Sequence, residues 1–126
     1  MTKTTHLRNR VLVVEDNADI ATLICDFLDA KGGFRADRVE DAAAALEICQ
    51  RQPYDLLIVD QFMPGMDGIQ LLAALRKSGG NTPAIMISGD PSVGDSIENG
   101  ATAFLAKPFS LSRLLEEATK VMRTVD

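Results

Sequence analysis

Hydrophobic and polar positions alternate along this chain in blocks rather than residue by residue. Val11-Leu12-Val13-Val14, Leu56-Leu57-Ile58-Val59, Pro83-Ala84-Ile85-Met86-Ile87 and Ala103-Phe104-Leu105-Ala106 are unbroken apolar runs, the pattern of short strands covered on both faces in a parallel sheet. Phe34 to Val39 is more polar and suits an edge strand. Between the runs the apolar spacing becomes helical. Ile20, Leu23, Ile24, Phe27 and Leu28 fall at i, i+3, i+4, i+7 and i+8, predicting a sheet-packed helix capped by Asn17 and stopped at Gly32-Gly33. Asp41 opens a second helix with Ala42, Ala45, Leu46 and Cys49 on its inner stripe, and Pro53 closes the loop after it. Ile69, Leu71, Leu72 and Leu75 mark a third helix, ending before Ser78-Gly79-Gly80. Asp90 to Gly100 predicts a short fourth helix, weakened by Pro91, Gly94 and few apolar residues. Leu111, Leu114, Leu115, Ala118, Met122 and Val125 form the last and cleanest stripe.

Five strands alternating with five helices through short connections imply βαβ units, and hence a three-layer α/β fold on a doubly wound parallel sheet. A length of 126 residues allows one domain with a real core and no second one. Lys3, Arg8 and Arg10 sit among threonines with no hydrophobic block behind them, so residues 1–9 are expected to be a flexible polar arm, not a signal peptide, before a domain over 10–126. No apolar run approaches the roughly 18 residues of a membrane span; the expectation is a cytoplasmic protein with no membrane partner. The net charge of −5 argues against direct nucleic-acid binding, which depends on clustered Lys and Arg. Cys25 and Cys49 fall in helical apolar patterns outside any metal or redox spacing, and read as buried free thiols.

The candidate chemistry lies where strands end. Glu15 and Asp16 follow the first strand, Asp60 the third, Ser88 the fourth and Lys107 the fifth, and in one parallel sheet these ends share an edge, where open α/β sheets bind ligands. Converging carboxylates repel unless a cation joins them, and hard oxygen donors in a partly hydrated site favour Mg²⁺. A carboxylate can also attack phosphorus to form an aspartyl-phosphate. Lys107 would then offset the charge of the transferring group, and the Ser88 hydroxyl could hydrogen-bond one of its oxygens. The plainer alternatives are a helix-entry acidic pair at Glu15-Asp16, a helix cap or surface acid at Asp60, a turn serine at Ser88 and a solvated Lys107.

In their order these pieces resemble the receiver domain of two-component response regulators: Val13-Val14-Glu15-Asp16-Asn17, Asp60 with Met63-Pro64-Gly65-Met66-Asp67-Gly68, Ile87-Ser88-Gly89, and Lys107-Pro108-Phe109. The resemblance covers Arg10 to Thr124 and implies the flavodoxin-like strand order 2-1-3-4-5; with no output domain in the sequence the expectation is a stand-alone receiver, the alternative being the receiver piece of a hybrid kinase or longer regulator. It implies that Asp60 accepts a phosphoryl group from a histidine kinase or histidine phosphotransfer protein and that the change controls a downstream protein. It casts Asp16 as a direct Mg²⁺ ligand, Glu15 as a ligand through water, Phe62 as donor of a backbone carbonyl, Ser88 as the hydroxyl switch, and Lys107 as the phosphoryl-pairing lysine before an often cis proline. Phe104 matches the aromatic switch position, without the hydroxyl of the frequent tyrosine. Phe62 and Asp90 occupy positions that tune phosphoryl lifetime, and Met63-Pro64 shapes the loop after Asp60. Ser88 to Lys107 is about three residues shorter than the family's common spacing, close to one helical turn, so the fourth helix is expected to be shortened or irregular, and the output face adapted to it or moved to the first-helix side. Two rival readings are a Mg²⁺-dependent phosphohydrolase, which would place an acid where Phe62 stands, and a flavodoxin-like binding module, whose phosphate Glu15-Asp16 would repel.

Overall fold

The structure, a computed structural model, describes residues 9–90, 92–93 and 100–123. Its sheet is built from β1 (Arg10–Val14), β2 (Arg35–Val39), β3 (Leu56–Asp60), β4 (Ala84–Ser88) and β5 (Ala103–Ala106). The strands run parallel in the order β2-β1-β3-β4-β5, the doubly wound arrangement expected. The helices are α1 (Ala18–Phe27), α2 (Ala42–Arg51), α3 (Gly68–Lys77) and α4 (Leu111–Arg123). The predicted helix between Asp90 and Gly100 falls outside the described residues except at Ser92 and Val93, as do Met1 to Arg8 and Val125. Asn9, placed by its sequence in the arm, is tied to the sheet edge: its carbonyl accepts from Arg35 N at 2.7 Å, and its side chain donates to Gly33 O at 3.3 Å.

Strand alternation divides the core into two layers. Val11, Val13, Leu56, Ile58, Ile85, Ile87 and Leu105 face α1 and α4, whereas Leu12, Val14, Leu57, Val59, Ala84 and Met86 face α2 and α3. Every residue of β3 and β4 is buried. A fully buried Leu or Ile contributes about 1.5–3 kcal/mol, whereas β-propensity spans only about 1 kcal/mol, so burial between helix layers decides that these runs are strands. β2, the charged edge, has no buried residue. Caps set the helix starts as the sequence implies: Asn17 Oδ1 accepts from Ile20 N at 3.0 Å and Asp41 Oδ1 from Ala44 N at 2.8 Å, each worth about 1 kcal/mol.

The first helix differs from its predicted stripe. Ala21, Ile24, Cys25 and Leu28 turn inward, an i, i+3, i+4, i+7 set displaced by one residue, while Ile20 and Leu23 are 42% and 57% exposed. The small Ala21 and Cys25 let the helix approach the sheet. After Phe27 the chain widens into a π-helical turn, Leu28–Gly32, and leaves it through Gly33 at φ 70°. A Cβ at position 32 would lie 2.6 Å from the Phe34 ring and 2.7 Å from Leu115 Cδ1, so any side chain there would have to displace them. Both thiols are free. Cys25 is buried and Cys49 half-buried, and burial pushes both thiol pKa values up, Cys25 to about 11. No helix among the described residues is long and apolar enough to cross a membrane.

Candidate functional site

β1 and β3 are paired through Val14 and Val59, so Glu15 and Asp60 emerge side by side from the carboxyl edge. Glu15 N donates to Val39 O at 3.1 Å, anchoring the turn to the neighbouring strand. Asp60 follows the alternation of Leu56 and Ile58 and Glu15 that of Val11 and Val13, which places both on the α1/α4 layer. Glu15, Asp16 and Asp60 bring one carboxylate oxygen each to within 4.8 Å of one another. Asp60 and Glu15 are buried, whereas Asp16 is exposed. Desolvation by burial pushes the Glu15 carboxyl up to about 7, an effect the Asn17 N–H at 3.0 Å opposes and the Asp60 charge reinforces.

Lys107, following β5, brings Nζ to 3.3 Å from Asp60 Oδ1. The same oxygen is buried and has no hydrogen-bond partner. The ammonium supplies charge at ion-pair distance but approaches outside the direction a hydrogen bond needs. A buried, unsatisfied carboxylate oxygen is costly, and two further carboxylates stand beside it. This donor set fits a small hard cation that prefers oxygen ligands.

Ser88 is buried, and its Oγ accepts from Asp90 N at 3.0 Å. Asp90 in turn accepts from Ser92 N and Oγ at 3.0 and 2.9 Å, bonds that hold its exposed carboxyl below the usual range. Lys107 N donates to Ser88 O at 2.9 Å, which joins the ends of β4 and β5 directly, and the Lys107-Pro108 peptide is cis. Geometry therefore gathers Glu15, Asp16, Asp60 and Lys107 into one cluster, with Ser88 tied to it through the backbone of Lys107. Phe104 lies apart, partly buried against the α2/α3 layer. The Phe62 side chain is 57% exposed, while Met63 is buried and pins the loop to the core.

Two features escape a reading of the sequence. Gln61, seemingly an ordinary loop residue, is as buried as Asp60; its only sequence signal is its place between a buried strand end and a turn. A groove of about 480 Å³ runs from Glu15 and Lys107 between Ile20, Leu23 and Ile24 on one side and Phe109 and Leu111 on the other. Its exposed apolar wall became visible only when α1 proved to be rotated by one residue.

Residues 11–119 match the family model described as the response regulator receiver domain. The transcriptional regulatory protein TctD of Salmonella typhimurium is 35% identical over 108 residues, covering 83% of this chain and 48% of TctD. This chain spans about half the length of the curated relatives it matches. Among solved structures, the receiver domain of the Francisella response regulator 1452 superposes with a TM-score of 0.88 at 30% identity, covering 94% of this chain and 99% of that one. Vibrio cholerae chemotaxis protein CheY4 superposes with a TM-score of 0.84 at 28% identity, covering 91% and 99%.

Proposed function

The chain belongs to the response regulator receiver family, and from that membership we propose that Asp60 accepts a phosphoryl group from the phosphohistidine of a histidine kinase or histidine phosphotransfer protein. The observation that carries this reading is the buried Asp60 oxygen with no hydrogen bond, 3.3 Å from the Lys107 ammonium. A carboxylate oxygen attacks phosphorus, an O–P bond forms as the donor's N–P bond breaks, and the donor imidazole leaves with the electron pair. The carboxylates of Glu15, Asp16 and Asp60 and the Phe62 carbonyl would hold Mg²⁺. When bound, that ion offsets charge on the transferring oxygens. Lys107 adds a second positive charge, and Ser88 offers a hydroxyl to the product phosphoryl group. The product brings roughly −1.5 to −2 charges to the edge of the sheet, drawing Ser88 and Lys107 toward it and shifting the population between two arrangements. Repacking at Phe104 transmits that shift to a protein target, not directly to nucleic acid. The test is uptake from acetyl phosphate with MgCl₂, read as a hydroxylamine-labile mass gain. No uptake by the native protein overturns the proposal.

The donor rests in the groove beside α1. That groove is continuous with the acid site through Glu15 and Lys107, and Ile20 and Leu23 expose apolar surface there without serving the core. Leu23→Arg should raise the KM for a phosphorylated donor protein about tenfold, the loss of roughly 1.4 kcal/mol of apolar contact, and leave uptake from acetyl phosphate unchanged. Equal losses with both donors would remove the groove from this role.

Phe62 and Asp90, both exposed, set the lifetime of the acyl phosphate, the ring by screening it from water and the carboxylate by orienting water toward it. Phe62→Asn is expected to change the autodephosphorylation rate; decay at the native rate would dismiss the screening role.

A further inference from the structure

The phosphoacceptor is followed by a buried glutamine whose side-chain hydrogen bond reaches away from the acid site. Gln61 continues the alternation of Leu57 and Val59, which face the α2/α3 layer. Its N–H donates to Ile87 O at 2.9 Å, locking it to β4, and its carbonyl accepts from Gly68 N at 3.0 Å. Its side-chain Oε1 accepts from Ile69 N at 2.8 Å.

The first turn of any helix leaves N–H groups without internal partners, and in α3 these groups are divided between two residues. Gly68 and Ile69 are taken by Gln61, while Gln70 N donates to Asp67 Oδ1 at 2.8 Å within a capping box completed by Gln70 Oε1. The helix comes so close to Gln61 that a side chain at position 68 must push the junction apart: a Cβ would lie 3.0 Å from both Gln61 Cα and Gln61 Oε1, and 2.8 Å from Met86 Sδ. The loop between Asp60 and α3 is thus closed at its base by one residue, through its backbone carbonyl and its side chain.

We propose that Gln61 is a positioning residue for phosphoryl transfer: its side-chain bond to the N-terminus of α3 fixes the backbone that carries the Asp60 carboxylate and the Phe62 carbonyl. This rests on the phosphoacceptor reading of Asp60. Asp60 Oδ1 has the Lys107 ammonium 3.3 Å away but no hydrogen bond to fix its direction, so its aim depends on its backbone, and that backbone is held from behind by Gln61. Small displacements of reacting groups, of the order of 1 Å, cost up to about 10²-fold in rate.

The test compares the native protein with Gln61→Met, which keeps length and apolar bulk but lacks the acceptor, and with Gln61→Glu, which restores an acceptor where a helix N-terminus favours a carboxylate. Gln61→Met should expose the Ile69 amide to faster hydrogen exchange, slow uptake from acetyl phosphate at saturating MgCl₂ by about tenfold, and weaken Mg²⁺ binding measured by calorimetry. Gln61→Glu should recover all three. Gly68→Ala, which disturbs the same junction from the helix side, should reproduce the slower uptake and keeps the test available if Gln61→Met does not fold. Native uptake and Mg²⁺ affinity in a variant whose Ile69 amide is unprotected would overturn the inference alone, as would failure of Gln61→Glu to recover the rate. Absence of uptake by the native protein overturns the phosphoacceptor reading and this inference with it.

Discussion

Asp60→Asn is expected to abolish formation of the hydroxylamine-labile phosphoryl adduct with acetyl phosphate while leaving the fold intact and slightly more stable. The substitution preserves shape in a buried position, so it opens no cavity. It removes the proposed anionic nucleophile, and an amide oxygen does not replace a carboxylate toward phosphorus; the loss should be complete within detection. Stability moves the other way. Asp60 shares its pocket with Glu15 and Asp16, with oxygens within 4.8 Å, and Lys107 is the cation paired with it. Neutralising one carboxylate relieves repulsion of the order of 1 kcal/mol, after screening at the exposed Asp16 and the lost attraction to Lys107 are allowed for. For a domain of this length that corresponds to a rise of about 3–5 °C in Tm. Intact-mass measurement and thermal unfolding check the two halves separately. An adduct on Asp60→Asn would move the acceptor elsewhere, and a large fall in Tm would mean that the acidic cluster stabilises the fold instead of straining it.

Lys107→Ala should give the second-largest effect. The ammonium is 3.3 Å from Asp60 Oδ1, so in the proposed transfer it lies where charge accumulates as the phosphoryl group arrives. Removing one preorganised electrostatic partner of this kind slows transfer by about 10²-fold. Its contribution to the resting fold is small, because the side chain is 41% exposed and exposed ion pairs are screened. The expected signature is a large loss in uptake rate with little change in Tm, the reverse of a core substitution. Lys107→Arg should recover only part of the rate, since a planar guanidinium does not reproduce a compact ammonium at a single oxygen. Native uptake by Lys107→Ala would remove this residue from the mechanism.

The legible parts of the molecule were those encoded in neighbouring residues. The unbroken runs at Val11, Leu56, Ala84 and Ala103 read as strands because they are short, apolar and bounded by turn residues, and each of the four occurs as one, with only Leu105 buried in β5 at the sheet edge. Asn17 and Asp41 announced helix starts through side chains that bond three residues ahead. The carboxylates, hydroxyl and lysine were legible as a site because parallel strands deliver their carboxyl ends to one edge. The inward face of α1 was not legible: two apolar stripes one residue apart run along it, and periodicity cannot choose between Ile20/Leu23 and Ala21/Cys25.

Strand pattern, helix caps and the chemistry gathered at the sheet edge were determined by the sequence itself, since each depends on contacts within a few residues or on the rule that parallel strands end together. Tertiary structure alone decided which stripe of α1 stays exposed, that Gln61 is buried against α3, and that the lysine beside Asp60 Oδ1 makes no hydrogen bond to it. These outcomes depend on how closely separate segments approach, and the burial of a polar atom is set by surfaces that meet only when β1, β3, β5 and the helices around them are assembled.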